Sequence, residues 1–368
     1  MRVIHCADLH LDSKLTAHLS GEKRKERRAE LLETFRRMIV YGEQHQVEAI
    51  LIAGDLFDSN VVSQTTRNTV KQMILNHPGI CFYYLKGNHD SKGIFHESDQ
   101  VPDNLKLFTD TWQYYLHPCK RGQVVIAGAE LTTENQQNLY ESLYLHPDAV
   151  NIVMLHGQEM EYQGTDKTAE VPLRELRNKS IDYLALGHIH THKEGCLDVR
   201  GRWCYPGCLE GRGFDECGEH GFVLLHIDEE TGICETEFVP FSYRNLYTIY
   251  VDVTGCTCTE EIGARIEEEL LKAGHAQRHM IKLVLTGELA LFAEVNLYVL
   301  MKRLEGRYYF LKIYNETTLC VEYDRFLEEE SLKGEFVRLI SNKTEIPEEE
   351  KAILIRYGIL ALAGEEIE

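Results

Sequence analysis

The sequence predicts an α/β fold in which strands and helices form layers. Three observations predict it. Short apolar runs alternate with amphipathic helical stretches along the first half of the chain. Five short motifs rich in Asp, Asn and His each follow one of those runs. A second, smaller β-α-β-α-β pattern begins after a break near Pro240–Asn245.

In order, residues 2–6 read as a buried strand. Residues 22–45 read as a helix, because Leu31, Phe35, Met38, Ile39 and Gly42 share one face. Strands follow at 48–53 and 80–86, with a helix at 62–76 between them that ends before Pro78. Further strands are expected at 123–129, 150–155 and 182–186, with helices near 134–144 and 170–178. Hairpin strands with Gly-rich turns fit 194–199, 202–206, 221–228 and 233–239. Beyond the break, strands are expected at 247–253, 280–286 and 308–314, and helices at 259–273 and 293–304. Thr257 and Glu260 have capping-box spacing. Two helices fit 331–362, the second starting at Pro347 with Glu348, Glu349 and Glu350 in its first turn. Its apolar residues Ile353, Leu354, Ile355, Tyr357, Ile359, Leu360 and Leu362 exceed what a surface helix requires. They suit packing on their own domain or docking a partner. The expected division is therefore 1–240, 246–318 and 328–364.

Bulk composition limits the function. The chain has 368 residues, 43% hydrophobic, with net charge −20. An acidic surface argues against tight, nonspecific duplex binding, which runs on Lys and Arg neutralising phosphates. Bound cations, or a basic partner, would offset that locally. The absence of a long apolar run predicts no membrane span. The N-terminal run is too short for a signal peptide, so the expected location is cytoplasmic. The 11 cysteines are scattered and odd in number, which fits free thiols in a reducing compartment. Cys204, Cys208 and Cys217 offer a weaker alternative as zinc ligands.

The five motifs are Asp8-Leu9-His10, Gly54-Asp55-Leu56-Phe57-Asp58, Gly87-Asn88-His89-Asp90, His156-Gly157 and Gly187-His188-Ile189-His190. In open α/β sheets, functional groups gather beyond the carboxyl ends of strands, so loops distant in sequence can converge there. Carboxylate, amide and imidazole ligands without thiolate favour Mn²⁺, Fe²⁺ or Zn²⁺. Two such cations side by side are the arrangement that hydrolyses phosphate esters. His5, His18, His96, His146 and His220 lie outside the motifs and read as ordinary structural histidines.

These motifs resemble the calcineurin-like metallophosphoesterase superfamily. Asp8-Leu9-His10-Leu11-Asp12, Gly54-Asp55-Leu56-Phe57-Asp58 and Phe214-Asp215-Glu216-Cys217-Gly218 are similar to the SbcD-type DNA repair nuclease subgroup. The segments Tyr205-Pro206-Gly207 and Gly211-Arg212-Gly213 look closer to its YhaO-like branch. The resemblance covers roughly residues 1–240. It implies a layered β-sandwich core flanked by helices, a smaller α+β capping domain and C-terminal helices. It also implies a ligand division: Asp8, His10 and His190 on one metal, Asn88, His156 and His188 on the other, Asp55 bridging. His89 would face the scissile phosphate as the catalytic histidine, with the Asp58 carboxylate behind it. In archaeal and eukaryotic relatives the Asp58 position is usually a histidine, so no second catalytic histidine carries over.

The functional expectation is a metal-dependent DNA exonuclease or endonuclease, using two divalent cations with Mn²⁺ foremost. It would act in DNA repair with an SbcC-like coiled-coil ATPase, and a homodimer fits the same picture. Arg67, Lys92 and Arg212 lie near the motif loops and are candidate substrate contacts. The run Arg24-Lys25-x-Arg27-Arg28 sits among glutamates and reads as a salt-bridged face. The alternative is a nucleotide or small-molecule phosphodiesterase, or a phosphatase, on the same site. A non-catalytic scaffold is the third reading, disfavoured by the complete ligand set.

Overall fold

The structure is a computed structural model that describes all residues except 16–18, 59–61, 90–93, 95–99, 120–121, 137, 160–169, 230, 232, 292, 321–325, 327 and 364–368. It divides into two units, Met1–Asn245 and Leu246–Glu368.

The first unit is a sandwich of two six-stranded sheets. Its strands, in chain order, are β1 (Arg2–Cys6), β2 (Ala49–Ala53), β3 (Cys81–Leu85), β4 (Leu105–Leu107), β5 (Gln113–His117), β6 (Val124–Gly128), β7 (Val150–His156), β8 (Gln158–Glu159), β9 (Glu170–Val171), β10 (Tyr183–Gly187), β11 (Lys193–Cys196), β12 (Arg202–Tyr205), β13 (Gly221–Ile227) and β14 (Cys234–Pro240). One sheet runs β14-β13-β1-β2-β3-β4 and the other β11-β12-β10-β7-β6-β5; β8 and β9 form a separate pair. The central strands β1, β2 and β3 are parallel, as are β6, β7, β10 and β12.

Strand alternation builds three apolar layers. Val3, Leu51 and Tyr83 face Ile126, Ile152, Met154 and Tyr183 between the sheets. Their neighbours Ile4, Ile50, Ile52 and Phe82 point the other way, onto Leu31, Phe35, Met38 and Val70. Val153, Leu155, Leu184 and Leu186 cover the far face with Tyr140, Leu173 and Leu176. Strands buried on both faces read as unbroken apolar runs, which is why the sequence marks them clearly.

Helix α1 (Gly21–Gln44) is capped by Ser20, whose side chain accepts from Lys23 N–H, and α2 (Gln64–Leu75) by Ser63 accepting from Thr66 N–H. Arg27 is not on a solvated face. It is buried, bound to Glu30, Glu210 and the Gly211 carbonyl. The expected helix near 134–144 is a set of turns ending in a 3₁₀ turn at Tyr140–Ser142. Here Thr132 and Asn135 bond each other's backbone and the Asn135 amide reaches the Asp110 and Glu130 carbonyls, competing with helical bonds. The 170–178 helix shortens to Leu173–Leu176.

In the second unit, parallel strands Leu246–Asp252, Met280–Thr286 and Phe310–Asn315 form a three-stranded sheet. Helices Thr259–Ala273 and Leu297–Arg303 cover it through Ile262, Ile266 and Leu300. The cap falls one residue from its expected place, because Glu261, not Glu260, accepts the Thr257 N–H at 2.7 Å. Helix Glu348–Ala363 buries Ile355 and Ile359 against Val337 and Phe326. Ile353, Leu354, Tyr357 and Leu362 on the same helix remain exposed. Among the described residues no helix is long and apolar enough to cross a membrane. All 11 cysteines are free.

Candidate metal centre

Parallel pairing places the carboxyl ends of β1, β2 and β3 side by side in one sheet, and those of β7 and β10 side by side in the other. The two sets meet. His156 Nδ1 at the end of β7 donates to the Ala53 carbonyl at the end of β2, 2.9 Å away. The loops lock to one another through Asp8 N–H to Gly54 O (3.1 Å) and His10 N–H to Asp55 O (2.9 Å).

Four of the candidate ligands adopt left-handed backbone: Asp8 (φ 52°), His10 (45°), Asp55 (52°) and His188 (105°). Such conformations are uncommon outside glycine, and cluster where function over-determines the backbone. Glycines make room beside them. A Cβ on Gly87 would overlap the Asp55 carboxylate, and one on Gly187 would overlap the Ala53 carbonyl.

The side chains converge. Asp55 Oδ2 lies 3.4 Å from His156 Nε2 and 3.9 Å from His10 Nε2, which makes it central. Asn88 Oδ1 sits 3.0 Å from His156 Nε2 and 3.4 Å from His188 Nδ1. His10 and His190 bring their Nε2 atoms within 3.2 Å, and His190 Nε2 is 4.0 Å from Asp8 Oδ1. Asp8 also accepts the His188 N–H on both oxygens, at 3.0 and 3.1 Å. Metal-capable atoms of Asp8, His10 and His190 lie within 4.8 Å of one another, as do those of Asp8, Asp55 and His156.

This donor set fits divalent cations. His156 spends Nδ1–H on Ala53 O and His190 spends Nδ1–H on Glu216 Oε1 at 2.7 Å. Their Nε2 lone pairs therefore face inward, the tautomer that ligates metal. Burial alone would push the His156 proton off, but the adjacent Asp55 charge outweighs it and holds the imidazole up to about 9. Burial also raises Asp55, yet His156 and His10 together carry its carboxyl well below the usual range. The carboxylates thus hold protons on His156 and His190, while burial pushes His10 the other way; the raised pair marks a demand for positive charge that cations would meet.

Every described candidate can be placed. Asp8, His10, Asp55, Asn88, His156, His188 and His190 come together. His89 is exposed at the rim, its ring 5.1 Å from that of His10, and its N–H binds Asp55 Oδ1 at 2.9 Å. Lys92 lies outside the described residues, as do Asp90, His18 and His96.

Four expectations change. The Asp58 carboxylate lies within 4.8 Å of a His89 ring nitrogen but is not hydrogen-bonded to it. It lies 3.2 Å from His10 Nδ1 and 2.8 Å from Arg212, and only its main-chain carbonyl meets His89 Nδ1, at 3.2 Å. Arg212 itself is spent on Asp58 and Glu216, so it braces the site from beneath. Arg67 is 4% exposed and its guanidinium packs over the Phe57 ring, out of reach of a substrate. The thiols of the weaker zinc alternative do not cluster. Cys208 Sγ meets His220 Nδ1 at 3.2 Å, and Cys217 donates to the Phe214 carbonyl.

Glu216 is a site residue that sequence reasoning misses. Burial would raise its carboxyl, but the His190 and Arg212 bonds hold it far below the usual range. The only sequence signal is its place in the segment after the Gly-rich turn. Glu216→Gln removes the charge that orients His190. We expect cation affinity to fall by about 10–100-fold, read as metal content after dialysis. Full retention would exclude that role.

Comparison with known proteins accords with this geometry. The calcineurin-like phosphoesterase family matches residues 1–192. The chain is 30% identical over 234 residues to the uncharacterized metallophosphoesterase YhaO of Bacillus subtilis, a match spanning 61% of this chain and 57% of YhaO. It is 26% identical over 270 residues to the SbcD component of the SbcCD nuclease of Escherichia coli, spanning 61% of this chain and 64% of that protein. To the DNA double-strand break repair protein Mre11 of Methanopyrus kandleri it is 26% identical over 292 residues, spanning 72% and 62%. Each match covers less than two thirds of the relative's own length. With more than half of its residues matched by the family, and the motif residues gathered at one end of the sandwich, the chain belongs to the calcineurin-like phosphoesterases.

Proposed function

We propose that this protein is a two-metal phosphodiesterase whose substrate is DNA, a nuclease of the SbcD type. One observation supports the hydrolytic part: seven Asp, Asn and His side chains from five strand ends meet, with His156 and His190 turning Nε2 toward the group. Asp8, His10 and His190 would hold one cation, Asn88, His156 and His188 the other, with Asp55 shared. Bound there, the pair supplies Lewis-acid activation of water and phosphoester near neutral pH, with Mn²⁺, Fe²⁺ or Zn²⁺ suited to the donors.

The chain's own residues supply the rest. Asp58 and Glu216 orient His10 and His190 through Nδ1, and Arg212 ties the two carboxylates together. His89, exposed beside the cluster and steered by the Asp58 carbonyl, stands where it can donate a proton to a leaving oxygen or stabilise developing charge. Similarity to the SbcD component of SbcCD and to Mre11 supports DNA as substrate and an SbcC-like coiled-coil ATPase as partner. The exposed apolar side of helix Glu348–Ala363 supports a docked partner.

The net charge of −20 favours a second reading, hydrolysis of nucleotides or small phosphodiesters. Single-stranded and duplex DNA, bis-p-nitrophenyl phosphate and cyclic nucleotides assayed with Mn²⁺ separate the two. The nuclease reading expects DNA cleavage, at least with the ATPase present. Cleavage of the small esters alone, even with that partner, transfers the assignment to the second reading.

A further inference from the structure

We propose that His192, Glu194 and Cys204 form a third cation site, of zinc type, at the open edge of the second sheet. Antiparallel β11 and β12 set Glu194 directly opposite Cys204. His192 lies two residues before Glu194, and alternation returns its side chain to the same face. Metal-capable atoms of the three lie within 4.8 Å of one another. Strand β14 of the opposite sheet closes over them. Phe238 stacks on the His192 ring at 4.6 Å, and Thr236 Oγ1 donates to Glu194 Oε2 at 2.8 Å.

Two further observations favour a ligand. His192 Nδ1 is shut off from solvent and has no hydrogen-bond partner among the described residues, which is rare for a buried polar atom. Cys204 is fully buried while Glu194 is exposed, so the group has a closed floor and a route of entry. One imidazole, one carboxylate and one thiolate, completed by water, make a four-coordinate zinc set. The thiolate separates this site chemically from the Asp, Asn and His centre, and selects a softer ion. Burial pushes the free Cys204 thiol up to about 12. Binding therefore requires the cation to displace that proton to solvent. Strand β11 begins shortly after His190, so an ion here would pin the segment leaving that motif to the facing sheet. None of this rests on the phosphoesterase reading.

The test uses the intact chain, stripped by chelation and reloaded with Co²⁺ or Zn²⁺. A thiolate-to-cobalt charge-transfer band is expected in the wild type, since the phosphoesterase centre has no thiolate. Cys204→Ser should abolish the band and lower bound zinc by one ion per chain. Glu194→Gln, at an exposed position that leaves the core intact, should weaken zinc retention by at least about tenfold. No band in the wild type, or zinc content unchanged in both variants, would overturn the proposal.

Discussion

His89→Ala is expected to lower turnover of any phosphodiester substrate by about 10²–10⁴-fold, the usual contribution of a positioned acid or base. Metal content should stay at the wild-type value. His89 stands at the exposed rim and its ring is fixed by a carbonyl, whereas His156 and His190 are fixed through Nδ1 by buried acceptors. One alternative is built into the same geometry. Metal-capable atoms of His89 lie within 4.8 Å of those of His10 and Asp58, so it could ligate. Loss of a cation together with activity would make His89 a ligand. Retained cations with lost activity would make it the proton donor.

Asp55→Ala should have the larger effect on binding, removing both cations and with them all measurable turnover. Asp55 is 1% exposed and faces His156 and His10, one from each proposed ligand set. Its removal leaves buried imidazoles without their central counter-charge. The loss should exceed the roughly 10–100-fold that follows deletion of an outer hydrogen-bond partner. Two cations per chain in this variant, by elemental analysis, would contradict the shared position.

The parts legible in the sequence are those governed by local pattern. Runs such as Ala49–Ala53 and Tyr183–Gly187 are apolar throughout because both faces are buried, and they are recognisable without any partner. Ligands placed just beyond them follow from chain direction alone. Membership of sheets does not. Nothing local to β7 and β10 says that they leave the sheet of β1–β3 and form a second one facing it. Leu105–Leu107 and Gln113–His117 carry no clear strand signal because short outer strands have mixed burial.

The same limit applies at the site. Asp58 is visible as a functional residue, but the direction of its carboxylate depends on Arg212, which is 154 residues away. Arg67 and Arg212 look like substrate contacts by proximity in sequence. Only packing reveals that one is buried over the Phe57 ring and the other is consumed by Asp58 and Glu216. Glu216 becomes recognisable once His190 Nδ1 is seen to point at it. Polar groups whose partners come from distant loops are read from three dimensions.

Anomalous diffraction from crystals grown with Mn²⁺ would locate the cations themselves. Two adjacent manganese peaks are expected, one against Asp8, His10 and His190, the other against Asn88, His156 and His188, with Asp55 touching both. A single peak, or none among these side chains, would contradict the two-metal centre.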